Sequence, residues 1–490
     1  MSRTGWKAAF VVSVLVFVGL AAKLFVGPGT KPDGPLLVYC AAGLRQPMEA
    51  ALKAYGGDLQ LQYGGSQTLL GNIEITKKGD LYIPADDSYL GMARQKGLAA
   101  ESIPLATMTP VLAVAKGNPK GIRSLGDLAR ADVRLAQANP DAAAVGKLVR
   151  DELQRRGQWA GVQGRVAVMT ATVNEVANNI KLGSVDAGFV WDATVRQYPE
   201  LERVEGVTFD SVANVSVAVL KSTTAPAAAL KFARFLAARD RGLQHFTKAG
   251  FSAVEGDVWE EKPQVLLYSG AMLRPAIEKT VTAFEEREGC SVTRVYNGCG
   301  ILVGQMQTGA NPDLYFACDT QFMAMVKEKF QPSMDVSLNQ LVILVPKGNP
   351  KGVKTLKDMA QPGLRIGVGH EKQCALGQLT QETLRQTKLE KDVMKNVVVQ
   401  AATGDMLVNQ LRTGSLDAVI AYVSNAASAA EALEAHPIDI PCALAVQPVA
   451  VAKDASRKRI AARLVDALRS AESRARFEAE GFKWRADEPR

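Results

Sequence analysis

The hexapeptide Lys116-Gly-Asn-Pro-Lys-Gly121 returns unchanged as Lys347-Gly-Asn-Pro-Lys-Gly352, 231 residues later. Its Gly-Asn-Pro centre is ordinary turn chemistry, so the motif by itself implies no activity. The spacing carries the information, because other segments keep it. Leu182-Gly-Ser-Val-Asp-Ala187 is matched by Thr413-Gly-Ser-Leu-Asp-Ala418, and Phe246 with Gly250-Phe251 by Phe477 with Gly481-Phe482. Toward the N-terminus the correspondence continues with small insertions: Leu36-Leu-Val-Tyr-Cys-Ala-Ala-Gly-Leu-Arg45 matches Val265-Leu-Leu-Tyr-Ser-Gly-Ala-Met-Leu-Arg274. Asp80-Leu-Tyr-Ile-Pro-Ala-Asp86 likewise matches Asp313-Leu-Tyr-Phe-Ala-Cys-Asp319. Self-similarity at one long period marks a duplicated architecture. The repeats are expected over 36–258 and 264–487, with the boundary in the Glu, Gly, Asp and Pro cluster near 254–264.

Inside each copy, strand-length apolar runs alternate with helical spacing. In the first copy, strands are expected over 36–40, 58–63, 81–85, 110–115 and 207–219. Helices are expected over 48–55, 67–75, 125–131, 143–155, 173–182 and 226–249. Pro226 suits a first helical position. Repeated strand–helix units predict an α/β fold with mostly parallel sheets covered by helices. In such sheets ligands bind beyond the carboxyl ends of the strands, where helix starts converge.

The composition fits two globular domains in 490 residues, with 47% hydrophobic and 22% charged residues. The net charge of +8 is spread along the chain, so it argues against nucleic acid as a partner. Three histidines leave little material for a His-based metal or acid–base centre, and no metal site or cofactor is expected. No nucleophile elbow, Gly-rich phosphate loop or ordered Ser/His/Asp set is present, which argues against an enzyme. At the N-terminus, Arg3 and Lys7 precede the uncharged stretch Ala8–Ala22. Residues 1–26 therefore read as a signal anchor or signal peptide, with everything beyond them outside the cytoplasm. Gly- and Pro-rich residues 27–35 read as a linker.

The opening strand with its Ala-rich turn, Gly64-Gly-Ser66, Pro84-Ala-Asp86, the repeated hexapeptide and Gly183-Ser-Val-Asp-Ala-Gly-Phe-Val-Trp191 resemble the type 2 periplasmic solute-binding proteins, most closely the molybdate-binding proteins of ABC importers. The resemblance covers nearly all of the chain after residue 35 in two copies. It implies two tandem binding units, each of two α/β lobes joined by a hinge, preceded by one N-terminal transmembrane or signal helix. It also implies capture of a small molybdate-like oxyanion, an ABC permease as partner, and a periplasmic location at the inner membrane. Carried over by position, the ligand-binding residues of the first repeat are Ala42, Gly43, Gly65, Ser66, Asp86, Ala143 and Trp191, with Ala142 beside them. Those of the second are Ala271, Met272, Gly298, Cys299, Cys318, Asp319, Cys374 and Tyr422, with Gln373 adjacent. Tyr422 matches a position where the family places an anion-contacting tyrosine. Gly43 and Met272 depart from the family's first-loop hydroxyl.

Six cysteines are present. Cys299, Cys318 and Cys374 occupy cleft loops, and three readings stand beside one another. They are buried small residues, a Cys299–Cys318 disulfide, or a soft-metal or thiophilic site. Cys40, Cys290 and Cys442 read as strand residues of the core. Asp86 and Asp319 read as caps as readily as ligands. A membrane-anchored sensor with one silent repeat is an alternative to import, and a Cys299–His370 enzyme is a remote one.

Overall fold

A computed structural model of the protein describes residues 34–427 and 429–487. The signal or anchor segment 1–26 and most of the linker 27–35 lie outside the described residues. Among those described, no helix is long and apolar enough to cross a membrane. The chain forms two compact units, the first ending at Val254 and the second beginning at Glu255, with Ala238–Arg241 assigned to the second.

The first unit contains strands β1 (Leu36–Ala41), β2 (Leu59–Gly64), β3 (Leu81–Ile83), β4 (Ala99–Met108), β5 (Pro110–Ala115), β6 (Leu135–Ala138), β7 (Val166–Thr170), β8 (Ala187–Trp191), β9 (Leu201–Arg203), β10 (Ala213–Leu220) and β11 (Ser252–Ala253). They build two sheets, ordered β11-β4-β10-β3-β1-β2 and β7-β6-β8-β5-β9. Each sheet is the centre of one lobe. The innermost strands β3 and β8 are buried at every residue, as strands covered by helices on both faces must be. At the edges, β2 and β7 alternate in burial. The chain crosses between the lobes at Thr109, between β4 and β5, and again between β9 and β10. Thr109 is fixed there by Asp192, whose carboxylate accepts its amide at 3.1 Å and its hydroxyl at 3.0 Å.

The second unit contains β12 (Gln264–Gly270), β13 (Ser291–Asn297), β14 (Leu314–Phe316), β15 (Met334–Pro346), β16 (Ile366–Gly369), β17 (Val397–Ala401), β18 (Ala418–Tyr422), β19 (Leu433–Pro437), β20 (Leu444–Val451) and β21 (Lys483–Trp484). Here the path β13-β12-β14-β20-β15-β18-β16-β17 is continuous. The 13-residue β15 pairs with β20 through its first half and with β18 and β19 through its second. One unbroken strand thus does what β4, Thr109 and β5 do in the first unit.

The repeated hexapeptide is a turn in both copies. Asn118 and Asn349 both adopt a left-handed φ of 44°, which asparagine tolerates better than most residues. Each closes a four-residue loop with its own side chain, Asn118 to Ile122 and Asn349 to Val353.

Several sequence expectations need correction. The single helix expected over 226–249 is two helices, Pro226–Leu236 and Gly242–Lys248. Gly242 packs so tightly on Leu236 that a Cβ would lie 2.4 Å from its Cα. The strand expected from Val207 begins only at Ala213. The preceding residues are drawn off the sheet by Glu152, which accepts the amides of Asp210 and Ser211 at 2.9 and 2.8 Å. Leu125–Ala129 is a 3-10 turn closed by a Ser124–Asp127 capping box. Cys40 is buried in β1, but Cys290 immediately precedes β13 and Cys442 sits half-buried in the 3-10 turn Pro441–Ala443.

Candidate functional site

Each unit brings helix starts and one tight turn to the groove between its lobes. In the first unit these are the turn Ala42–Leu44 and the starts of helices Ser66–Thr76, Ala144–Arg155 and Val173–Lys181. Together with Ala85 and Trp191 they enclose a cavity of about 20 Å³. The lining holds no charged side chain. Its polarity comes from first-turn amides, which have no intrahelical carbonyl to bond, and from the positive ends of the helix dipoles. Such an arrangement is complementary to an anion.

Of the first-repeat candidates, Ala42, Gly43, Gly65, Ser66, Ala143 and Trp191 line this cavity, and Asp86 does not. Asp86 instead accepts the amide of Ser88 at 3.0 Å, capping the turn after β3. Sequence reasoning missed Ala85, Thr172 and Val173. Alanine and valine leave no chemical signature, and they act here through backbone placement.

The lobes of both units are closed. In the first, the Gln67 amide donates to the Ala142 carbonyl across the groove at 3.0 Å. In the second, the Gly300 amide donates to the Gln373 carbonyl at 2.9 Å, and Gln378 bonds Gln321. Glycine permits the approach. A Cβ on Gly65 would stand 2.5 Å from the Ala142 oxygen, and one on Gly298 would stand 2.4 Å from Gln373 and 2.5 Å from Ala402 oxygens.

The two grooves distribute bulk differently. Gly43, Val173 and Trp191 in the first correspond to Met272, Gly404 and Tyr422 in the second. A Cβ on Gly43 would meet Val173 Cγ1 at 3.1 Å and the Trp191 ring at 3.4 Å, so the methionine needs the space that the smaller partners release. Gly43→Met alone is expected to lower the melting temperature of the first unit, with overpacking costing about 1–3 kcal/mol. Adding Val173→Gly and Trp191→Tyr should recover much of that loss in a calorimetric scan. Additive losses would reject the exchange.

In the first groove the Ser66 hydroxyl accepts the Ala85 amide at 3.1 Å, and the Tyr82 hydroxyl donates to the Ser66 carbonyl at 2.7 Å. In the second, Cys299 sulfur takes the same place and accepts the Cys318 amide at 3.1 Å. Burial opposes ionisation of Cys299, but the hydrogen bonds it shares with the Cys318 thiol and amide outweigh it and lower its pKa. The Cys299 thiol and burial both push Cys318 upward. Burial pushes Cys374 up to about 11. Tyr422 is buried, its hydroxyl has no hydrogen-bond partner among the described residues, and burial raises its pKa well above the ordinary value.

Met272, Gly298, Cys299, Cys318, Cys374 and Tyr422 are buried in the second unit, and Ala271 is half-buried. Asp319 caps its helix by accepting the Gln321 amide at 2.9 Å. It faces a separate pocket of about 290 Å³ that Glu371, Glu382 and Arg385 also line. His370 Nδ1 accepts the Lys372 amide at 3.2 Å, a local turn bond. Among the described residues no group of three or more His, Cys, Asp or Glu side chains is placed to hold a metal ion.

A family model described as bacterial extracellular solute-binding protein matches residues 36–252 and again 265–483. A binding protein of Haemophilus influenzae is 29% identical over 177 residues, covering 35% of this chain and 71% of that protein. The molybdate-binding protein ModA of Mycobacterium tuberculosis is 26% identical over 258 residues, which is 49% of this chain and 96% of that relative. The length of that relative therefore corresponds to one repeat. Among solved structures, the periplasmic molybdate-binding protein of Azotobacter vinelandii aligns at 16% identity with a TM-score of 0.40, covering 44% of this chain and 98% of its own.

Proposed function

The chain belongs to the bacterial extracellular solute-binding proteins, matched twice along its length, and from that premise we propose that it captures a small oxyanion of the molybdate type for an ABC-type permease. Solute binding rather than catalysis is the activity of this family, and the chain is not an enzyme. The observation that carries the oxyanion reading is the cavity ringed by three helix starts and a tight turn without a lysine or arginine in its wall. Amide donors from several directions suit a tetrahedral anion, which offers acceptors from several directions.

The closed cavity of about 20 Å³ has room for little more than one water-sized body. A tetrahedral oxyanion is larger, so binding goes with a slightly wider closure, reached by bending at the Thr109 crossing. Residues 1–26 would hold the protein at, or direct it across, the inner membrane, leaving both grooves in the periplasm. The ligand set proposed for each groove is the one carried over by position, with Asp86 and Asp319 acting as caps of the surrounding turns.

Thermal unfolding against molybdate, tungstate, sulfate, thiosulfate and phosphate tests this. At least one anion should give a saturable gain, amounting to about 2.7 kcal/mol at a concentration one hundred times its Kd. A flat response across the panel removes the oxyanion reading while leaving the family assignment intact.

A further inference from the structure

Three positions change together between the repeats. Where the first unit has Ala41, Ser66 and Ala85, the second has Gly270, Cys299 and Cys318. The sulfurs of Cys299 and Cys318 lie 2.9 Å apart. Two thiolates on one tetrahedral metal with bonds of about 2.3 Å would stand about 3.8 Å apart, so the pair is placed for sulfur–sulfur chemistry and not for a shared ion. Gly270 makes the placement feasible, since a Cβ there would stand 2.0 Å from Cys318 Sγ and 3.1 Å from Cys299 Sγ. An alanine like Ala41 would collide with the thiols, which explains why the glycine and the two cysteines occur in the same repeat.

We propose that Cys299 and Cys318 form a reversible dithiol–disulfide centre in the floor of the second groove, exchanging with an external protein or small-molecule disulfide. The Cys299 thiolate attacks one sulfur of the incoming disulfide, forming a mixed disulfide and expelling one thiolate. Deprotonated Cys318 then attacks the Cys299 sulfur, which forms the internal bond and expels the second thiolate. Two protein thiols are oxidised, one external disulfide is reduced to two thiols, and the two protons released pass to those thiols. Cys299 is suited to the attacking role because it opens the helix Cys299–Gln307, where the dipole favours negative charge.

Access is conditional. Cys299 is 0% and Cys318 5% exposed, and the opposite lobe covers the start of the helix that Cys299 opens through the Gly300–Gln373 bond. Exchange therefore requires the lobes to part, and a solute that closes them protects the thiols. The chemistry does not depend on which solute the groove takes, so the thiol test below stands whether or not an oxyanion binds.

The full-length protein is reduced, equilibrated with glutathione disulfide, quenched in acid, and alkylated with iodoacetamide in denaturant before peptide mass mapping. The expected result is loss of two alkylatable thiols of the six, recovered as a single Cys299–Cys318 linked peptide and restored by dithiothreitol. Cys318→Ala, which carries the residue of the first repeat, should abolish the linkage, and Gly270→Ala should slow it by about tenfold or more. Six alkylatable cysteines after equilibration, a linkage between other cysteines, or an unchanged linkage in Cys318→Ala would overturn the proposal.

Discussion

Replacing Gly65 or Gly298 by alanine is expected to hold the corresponding unit open while leaving each lobe folded. The added methyl meets carbonyl oxygens of the opposite lobe at 2.5 Å in the first unit and 2.4 Å in the second, and backbone cannot step aside as a side-chain tip can. In the open state nothing opposes it. Forced contacts of this kind cost about 1–3 kcal/mol, equivalent to about a 5- to 150-fold shift in the closing equilibrium. Amide hydrogen exchange reads the effect directly. Protection should fall at Gln67 in Gly65→Ala and at Gly300 in Gly298→Ala, because those amides bond across the groove. Any anion that stabilises the wild type should lose affinity to a similar degree. Undiminished protection at both amides would mean that the glycines do not govern closure.

Glu152→Ala is expected to be the most damaging single change in the first unit outside its grooves. The carboxylate is 1% exposed, accepts the amides of Asp210 and Ser211 and pairs with Arg156. Its removal leaves two amides without that acceptor and takes one partner from Arg156, which keeps the Thr208 carbonyl and the Asp210 carboxylate, at a cost of about 3 kcal/mol. For a unit of this size the melting temperature should drop by about 6–12 °C. Burial works against ionisation of Glu152, but the donors from Ser211 and Asp210 and the charge of Arg156 prevail and lower its pKa. A carboxyl whose folded pKa is depressed stabilises the fold above its unfolded value and loses that contribution as the pH falls through the folded one. The penalty of Glu152→Ala should thus be full at neutral pH and shrink below the ordinary glutamate value of 4.5. A penalty that does not change with pH would assign the loss to packing alone. The second unit has Thr383 in this place, whose hydroxyl donates to the Leu379 carbonyl of its own helix and accepts the Cys442 thiol at 3.9 Å, so a long thiol contact stands where Glu152 holds two amides.

Much of this fold was legible because duplication wrote the pattern twice. The Lys116 and Lys347 hexapeptides fixed the period, and β5 and the helices at 144–155 and 173–181 fall within a residue of their expected limits. The failures share a physical origin. Residues 207–212 have the apolar, β-branched composition of a strand, yet a carboxylate distant in sequence captures their amides. The helix expected over 226–249 keeps its periodicity through a break made by tertiary packing at Gly242. At the groove, Ala42, Ala143, Ser66 and Trp191 were recognisable by position, whereas Ala85, Ala144 and the carbonyls that complete it act through backbone geometry that composition cannot encode. Gly270 had a signal that went unread: it differs from Ala41 in the one repeat that also carries the two thiols.

The uninterrupted β15 has a mechanical implication. A hinge that passes through Thr109 can swivel by rotating a few backbone torsions, whereas one woven into a continuous ladder must bend hydrogen-bonded ribbon. The second repeat should therefore behave as the stiffer spring of the two, with a smaller swing between its lobes. A tandem pair with unequal compliance can answer one solute over two concentration ranges, even if both mouths were chemically alike.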